Sequence, residues 1–171
     1  MADEGQMPGD QPFGQPLANG ADTAPSAGMI SQYVKDLSFE NPNAPKIFQS
    51  QEPPAIDVQF NIGAGQVGED VHEVSLKIEA RAEVQGEAAF VVELTYAGLF
   101  GFRNVPAEQI QPFLLGEAPR LLFPFARRVL ADAVRDGGFP PLLLEPIDFG
   151  QLFLQQQQAQ EQAQAGTMGT S

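Results

Sequence analysis

The stretch VSLKIEARAEVQGEAAFVVELTYAGLF, residues 74–100, decides the fold class of this chain. Apolar residues occupy every second position from Val74 to Val84 and again from Phe90 to Tyr96. Alternation of this length is typical of strands that bury one face and expose the other. It predicts two antiparallel strands of a sheet that is covered on one side.

Two earlier segments, residues 33–40 and 55–62, alternate in the same way, and glycine-rich segments at 63–68 and 86–88 predict a meander. In YVKDLSFE (33–40), strict alternation places Tyr33, Leu37 and Phe39 opposite Val34, Asp36, Ser38 and Glu40.

Helices follow the strands. A short one is predicted from Pro106 to near Gly116, and a longer one from Pro119 to the Gly137-Gly138 pair. Residues 139–147 form an extended apolar crossing, because prolines keep them out of regular structure. A last helix starts near residue 148 and frays into a glutamine tail. The order predicts an α+β fold, a four-stranded antiparallel sheet followed by helices packed on one face.

Composition divides the chain into three parts. Residues 1–31 are an acidic leader without a hydrophobic period, and residues 155–171 are a glutamine-rich tail. Neither buries enough apolar surface to offset the entropy of ordering it, so both are predicted to be disordered. The folded domain is expected at residues 32–154.

The formal charge is −13, and removing the five acids of the two tails leaves −8 on the domain. Such a charge argues against nucleic acid and against anionic membrane surfaces, and it suits a basic partner or simple solubility. The chain has no cysteine, no export signal and no stretch of transmembrane length, so we expect a cytosolic protein that does not insert into membranes.

Catalytic and cofactor motifs are weak. GAGQVG (63–68) fits a dinucleotide fingerprint, but a strand pattern follows it where a helix would be needed, which favours a hairpin connection. His72 lies near Glu69, Asp70 and Glu73, a thin ligand set for a metal. We expect no enzyme activity, no cofactor and no metal.

Phenylalanines are the most informative side chains. Phe113, Phe123, Phe125 and Phe139 lie among prolines and leucines of the helical part. They form either an ordinary core or an exposed apolar groove. Asp36, Glu40 and Glu93 all fall on polar strand faces, which gives either a solvated surface or an acidic patch around Val91.

Three segments resemble the SecB family of bacterial protein-export chaperones: YVKDLSFENPNAPKIFQ (33–49), FVVELTYAGLF (90–100) and LFPFARRVLADAVRDGGFPPLLLEPIDF (122–149). The resemblance implies an ATP-independent holdase that keeps unfolded secretory preproteins competent for translocation and delivers them to the SecA motor. It also implies a cytoplasmic homotetramer, a dimer of dimers.

The resemblance assigns roles to residues. Asp36, Glu40, Val91 and Glu93 would dock SecA. Val92, Leu94 and Tyr96 match the family's inward face and would support subunit packing; Val92 stands where the family often has cysteine. A tryptophan common in the family is Glu52 here, which alters one wall of the groove. Unfolded clients would lie in grooves lined by Phe48, Val58, Phe60, Phe113, Phe123, Phe125, Phe139 and Leu143.

In this setting KDLSFE would form an edge of the sheet, and ENPNAP (40–45) would lead the chain away in a stiff form. One rival is an acidic scaffold or adaptor that binds a basic partner and has no chaperone activity. Another is a SecB-like protein dedicated to a toxin–antitoxin pair.

Overall fold

The computed structural model describes residues 23–167. They form a four-stranded antiparallel sheet followed by helices, as the alternation predicted. The strands are β1 (Ser26–Glu40), β2 (Ala55–Gly68), β3 (Val71–Val84) and β4 (Glu87–Arg103), and the helices are α1 (Ala107–Pro112), α2 (Ala118–Asp136) and α3 (Phe149–Thr167).

The strand order is β1-β4-β3-β2. Strands β2, β3 and β4 form the predicted meander, and β1 lies at one edge against β4. Because β1 and β2 lie at opposite edges, residues 41–54 must carry the chain across the sheet.

One face of the sheet, here called the covered face, is packed under α2 and carries the core. It includes the even-numbered positions of β3 and β4. Val92 and Leu94 are 0% exposed and Tyr96 is 7% exposed within this single chain. Because these side chains are already buried within one chain, they could support subunit packing only from inside the subunit, and that predicted role stays a prediction.

Two irregularities in β1 change which side chains share a face. The register shifts between Met29 and Ser31 and again between Val34 and Asp36. Before the second bulge Tyr33 pairs with Ala97 and Val34 with Tyr96, whereas after it Leu37 pairs with Leu94. Directly paired residues lie on the same face, so Tyr33 is opposite to Leu37 and not beside it. The strict alternation predicted for residues 33–40 is wrong at Tyr33 and Val34.

The segment ENPNAP is held by its asparagines. The Asn41 side chain donates to the Gly137 carbonyl at 2.9 Å, and Asn43 donates to the Ala88 carbonyl at 2.9 Å. A Cβ on Gly137 would come within 2.1 Å of the Phe39 ring, so only glycine fits there. These contacts fix the start of the crossing segment to the end of α2 and to the start of β4.

The helical run from residue 107 to 136 is continuous, although two separate helices were predicted. A π-helical turn, Phe113–Glu117, joins α1 to α2, with the Ala118 N–H donating to the Phe113 carbonyl. Pro119 lacks an N–H and its ring crowds the preceding turn, and a wider turn accommodates it without ending the helix.

Several element bounds differ from those predicted. β1 begins at Ser26, since residues 26–29 pair with the end of β4. β2 runs through the glycines of 63–68, which pair with β3, and turns only at 69–70. α3 continues to Thr167 through glutamine and alanine, both good helix formers. The rest of the predicted leader and tail, residues 1–22 and 168–171, lies outside the described residues.

Candidate functional site

An apolar groove of about 560 Å³ opens between the crossing segment, the first residues of β2 and the extended stretch after α2. Its side chains come from elements far apart in sequence, and the Asn41 and Asn43 hydrogen bonds keep these elements together. The apolar lining includes Ile47, Phe48, Ile56, Phe90, Phe139 and Leu142.

A row of aromatic rings connects the groove to the core. Phe39 and Phe90 stack at 6.0 Å between centroids, Phe90 lies 5.0 Å from Phe139, and Phe139 lies 5.2 Å from Phe48. Phe90 is buried whereas Phe48 is 47% exposed. The groove is thus an extension of the core that reaches the surface with its rings already packed.

The walls of the groove are stiff. Pro53, Pro54, Pro140 and Pro141 line it, and proline fixes φ and has no N–H to leave unpaired. Gly138, with φ of +92°, turns the chain at the end of α2. A Cβ there would lie 2.9 Å from the Phe48 ring. A left-handed glycine therefore sets the position of the exposed ring.

Of the side chains predicted to line a groove, Phe48 and Phe139 line this one. Phe123 is buried beside Phe149 with centroids 5.7 Å apart, and Phe113 packs on Phe100 and Phe102 at 5.9 and 5.4 Å. The remaining predicted residues lie outside its lining: Val58 and Phe60 pack against the core from β2, and Phe125 and Leu143 are exposed elsewhere.

Sequence reasoning missed Phe90, Ile56 and Leu142 as lining residues. The alternation placed Phe90 and Ile56 on apolar strand faces. Alternation alone cannot distinguish a residue at the end of a core from a residue that lines a groove. The useful signal is position, since both lie near the first residues of their strands.

The opposite side of the sheet, here called the bare face, carries no helix among residues 23–167. Glu40 pairs with Val91 and Ser38 with Glu93, while Asp36 pairs with Thr95. The four residues predicted to dock a partner, Asp36, Glu40, Val91 and Glu93, therefore lie together on this face across β1 and β4. Glu79 of β3 lies directly opposite Glu93 and extends the acidic surface.

A polar cluster lies further along the bare face. The Lys35 ammonium donates to Glu73 at 2.6 Å, and the Tyr33 hydroxyl donates to the other carboxylate oxygen. The Lys35 bond, followed by the Tyr33 bond, lowers the pKa of Glu73. The same carboxylate raises the pKa of Tyr33, chiefly through the hydrogen bond. The β-bulge that reversed Tyr33 is what brings it to Glu73.

His72 does not gather a ligand set. Its ring meets the edge of Phe102 at 5.4 Å, and its Nδ1 is buried without a hydrogen bond. Within residues 23–167 no three histidine, cysteine or acidic residues come together in a way that could hold a metal ion. Over the same range, no helix has the length and apolar character that crossing a membrane requires.

Comparison with known proteins gives a consistent result. The family described as "Preprotein translocase subunit SecB" matches residues 20–160. A protein named protein-export protein SecB from Sphingopyxis alaskensis is 61% identical over 97% of this chain and 95% of its own. A protein of the same name from Rhizorhabdus wittichii is 66% identical over 84% of this chain and 87% of its own.

Among solved structures, a SecB-like chaperone of Mycobacterium tuberculosis in complex with an antitoxin peptide superposes with a TM-score of 0.60 at 18% identity. The match covers 71% of this chain and 90% of that one, and at this identity it shows the shared fold. With most of its length matched by the family and by close relatives, the chain belongs to the SecB family of protein-export chaperones, which are not enzymes.

Proposed function

We propose that this protein is an ATP-independent holdase that binds extended apolar segments of unfolded preproteins in the apolar groove. The observation that carries the proposal is an open groove whose rings continue from the core to an exposed Phe48. The part of the Phe48 ring that stays exposed makes no contact within the chain, and it suits a client segment that an unfolded protein offers and a folded one hides.

The energetics favour weak, repeated contacts. Burial of apolar surface contributes roughly 25 cal/mol per Å², while ordering a client costs about 1–2 kcal/mol per residue. One groove therefore holds a client loosely. A homotetramer, a dimer of dimers, would present several grooves to one chain and raise the apparent affinity by about 10²–10⁴ through effective concentration.

The bare face supports the second half of the proposal, delivery to SecA in the cytoplasm. Asp36, Glu40 and Glu93 surround Val91 on a surface that no helix of residues 23–167 covers. A basic surface of SecA would meet this patch, with charge guiding the encounter and Val91 providing a small apolar contact. Client and motor would then occupy different parts of the same subunit, so transfer would not require either to leave first.

The experiment measures refolding of a slow-folding secretory precursor with and without stoichiometric protein, in the absence of nucleotide. Two matched variants accompany the natural chain. Phe48→Gln removes an exposed ring from the groove, and Phe125→Gln removes a ring of similar exposure, 40% against 47%, from outside it.

We expect the natural chain and Phe125→Gln to slow refolding, and Phe48→Gln to do so several-fold less, with no binding to the native precursor. Equal slowing by both variants would place client binding outside the groove. Unchanged refolding by all three would favour an acidic adaptor without chaperone activity.

A further inference from the structure

A second concave surface, here called the arginine pocket, opens where α2, the residues before α3 and the start of α3 meet. It has a volume of about 350 Å³, and its lining includes Arg120, Phe123, Arg127, Pro146, Ile147 and Phe149. Phe123 and Phe149 are buried, with ring centroids 5.7 Å apart, and give the pocket an apolar base. The two arginines add positive charge beside that apolar surface.

Within residues 23–167 only one of these two arginines has an acidic partner. Arg120 Nε donates to Glu117 at 2.9 Å. Arg127 Nη1 donates instead to the Leu144 carbonyl at 3.1 Å, and no carboxylate of the described residues pairs with it. In a chain of net charge −13, this partly buried guanidinium therefore keeps a positive charge that is free to meet an anion.

The Arg127 guanidinium is also held in place. Its bond to the Leu144 carbonyl restrains the side chain and uses one of five N–H groups. The others form a planar fork that matches a carboxylate. Phe123 precedes Arg127 by four residues, so both lie on the same face of α2. A carboxylate at Arg127 and an apolar side chain over Phe123 and Phe149 would fill the pocket together.

The arginine pocket is joined to the apolar groove by one extended stretch of chain. Leu142 lines the groove and Pro146 lines the pocket. Four residues of extended backbone span roughly 13 Å. A single client segment that runs beside this stretch can therefore occupy both surfaces.

We propose that the arginine pocket is a second client subsite, which binds an acidic residue and its apolar neighbour about four residues away from the segment held in the groove. The inference rests on the proposed client binding and adds a carboxylate-specific position to it. The overall charge predicts the opposite preference, because a chain at −13 repels an acidic peptide. A preference for an acidic residue would have to come from a local base, and Arg127 is that base.

The test uses two labelled peptides with the same apolar core, which carry either glutamate or glutamine four residues from that core, on either side in turn. Anisotropy titrations at moderate salt, which screens the general repulsion, are made with the full chain, Arg127→Gln, Arg127→Lys and Arg128→Gln. Arg128 is the next residue of α2, is exposed and lies outside the pocket, so its loss controls for the loss of one positive charge. Melting curves confirm that each variant is folded.

For one placement, the full chain and Arg128→Gln should bind the glutamate peptide about three- to tenfold more tightly than the glutamine peptide, because a partly buried, two-bonded pair exceeds an exposed one. Arg127→Gln should abolish the preference, and Arg127→Lys, which keeps the charge but not the fork, should reduce it. Phe48→Gln should weaken both peptides equally and leave their ratio unchanged.

Three results would contradict the inference. Binding of both peptides without a preference, or with the same preference in Arg127→Gln as in Arg128→Gln, would overturn this subsite and leave client binding in the groove intact. Binding of neither peptide would overturn both. A peptide of residues 1–22, which carry four acids and no base, serves as competitor; if it displaced the glutamate peptide at lower concentration than unlabelled glutamate peptide does, the occupant would be the chain's own leader and not a client.

Discussion

The two faces of one sheet carry different kinds of side chain at neighbouring positions. On the covered face Val92 and Leu94 are sealed under α2, whereas Glu93 and Thr95, between and beside them, lie on the bare face and remain partly open to solvent. The covered face holds the buried core, and the bare face holds the acidic patch for which we propose docking of a charged partner. Substitutions one residue apart should therefore separate folding from docking.

The comparison of the two faces also explains how the sheet can carry an acidic surface. Glu93 and Glu79 lie directly opposite each other across β4 and β3. Like charges at this spacing destabilise a sheet, so the pair is a cost to folding. Burial on the covered face offsets that cost, so the bare face can carry the acids that the proposed docking requires.

The largest expected effect comes from the covered face. Leu94→Ala should lower the free energy of unfolding by about 2–5 kcal/mol, because it removes buried contacts and leaves a cavity under α2. Thr95→Ala, the adjacent change on the bare face, should stay within about 0.5 kcal/mol. Urea denaturation of both variants measures the difference, and comparable losses would show that the bare face is covered in the folded protein.

The next largest effect on stability is expected where the covered face opens into the apolar groove. Gly138→Ala should cost about 1–3 kcal/mol, because φ is +92° and the new Cβ would press on the Phe48 ring. The control is Gly28→Ala in β1, where an added Cβ meets nothing within 4 Å. Thermal unfolding checks stability, and a normal melting curve for Gly138→Ala would mean that the turn relaxes without strain.

Sequence alone predicted the sheet, its covered face and the residues of the bare patch, because each depends on alternation within a strand. It failed at Tyr33 and Val34, because a β-bulge is fixed by pairing with another strand and leaves no local signal. Nor could it tell that Phe113 and Phe123 pack among other rings outside the apolar groove, since a phenylalanine beside prolines looks the same in a core and in a groove. Long-range contacts decide such cases.

A smaller effect, on partner binding and not on stability, is expected on the bare face. Glu93→Arg should weaken SecA binding by about 1–2 kcal/mol, because a charge reversal replaces attraction by repulsion at the patch. It should not lower the free energy of unfolding, since an arginine opposite Glu79 relieves a like-charge pair. Binding titrations at low and high salt, with Glu108→Arg on α1 as control, measure the effect. A loss of affinity equal to that of the control would show that the patch does not dock SecA.

The smallest expected effect concerns the polar cluster of the bare face. Glu73→Gln should lower the free energy of unfolding by about 0.2–1 kcal/mol at neutral pH, because it removes a partly exposed ion pair with Lys35. The folded-state pKa of Glu73 is lowered, so its ionised form stabilises the fold at pH values above the ordinary glutamate pKa. That contribution is lost as the pH falls through the lowered pKa.

The difference in stability between the natural chain and Glu73→Gln should therefore shrink on acidification and vanish once the carboxyl is protonated in both folded and unfolded states. Denaturation midpoints over a series of acidic pH values measure it. Glu69→Gln, an exposed change on the β2–β3 turn, is the control and should give a difference near zero throughout. A Glu73→Gln difference that stays constant with pH would show that the Tyr33 and Lys35 bonds do not act through the charge of Glu73. Glu73 would then contribute to folding through neutral contacts alone.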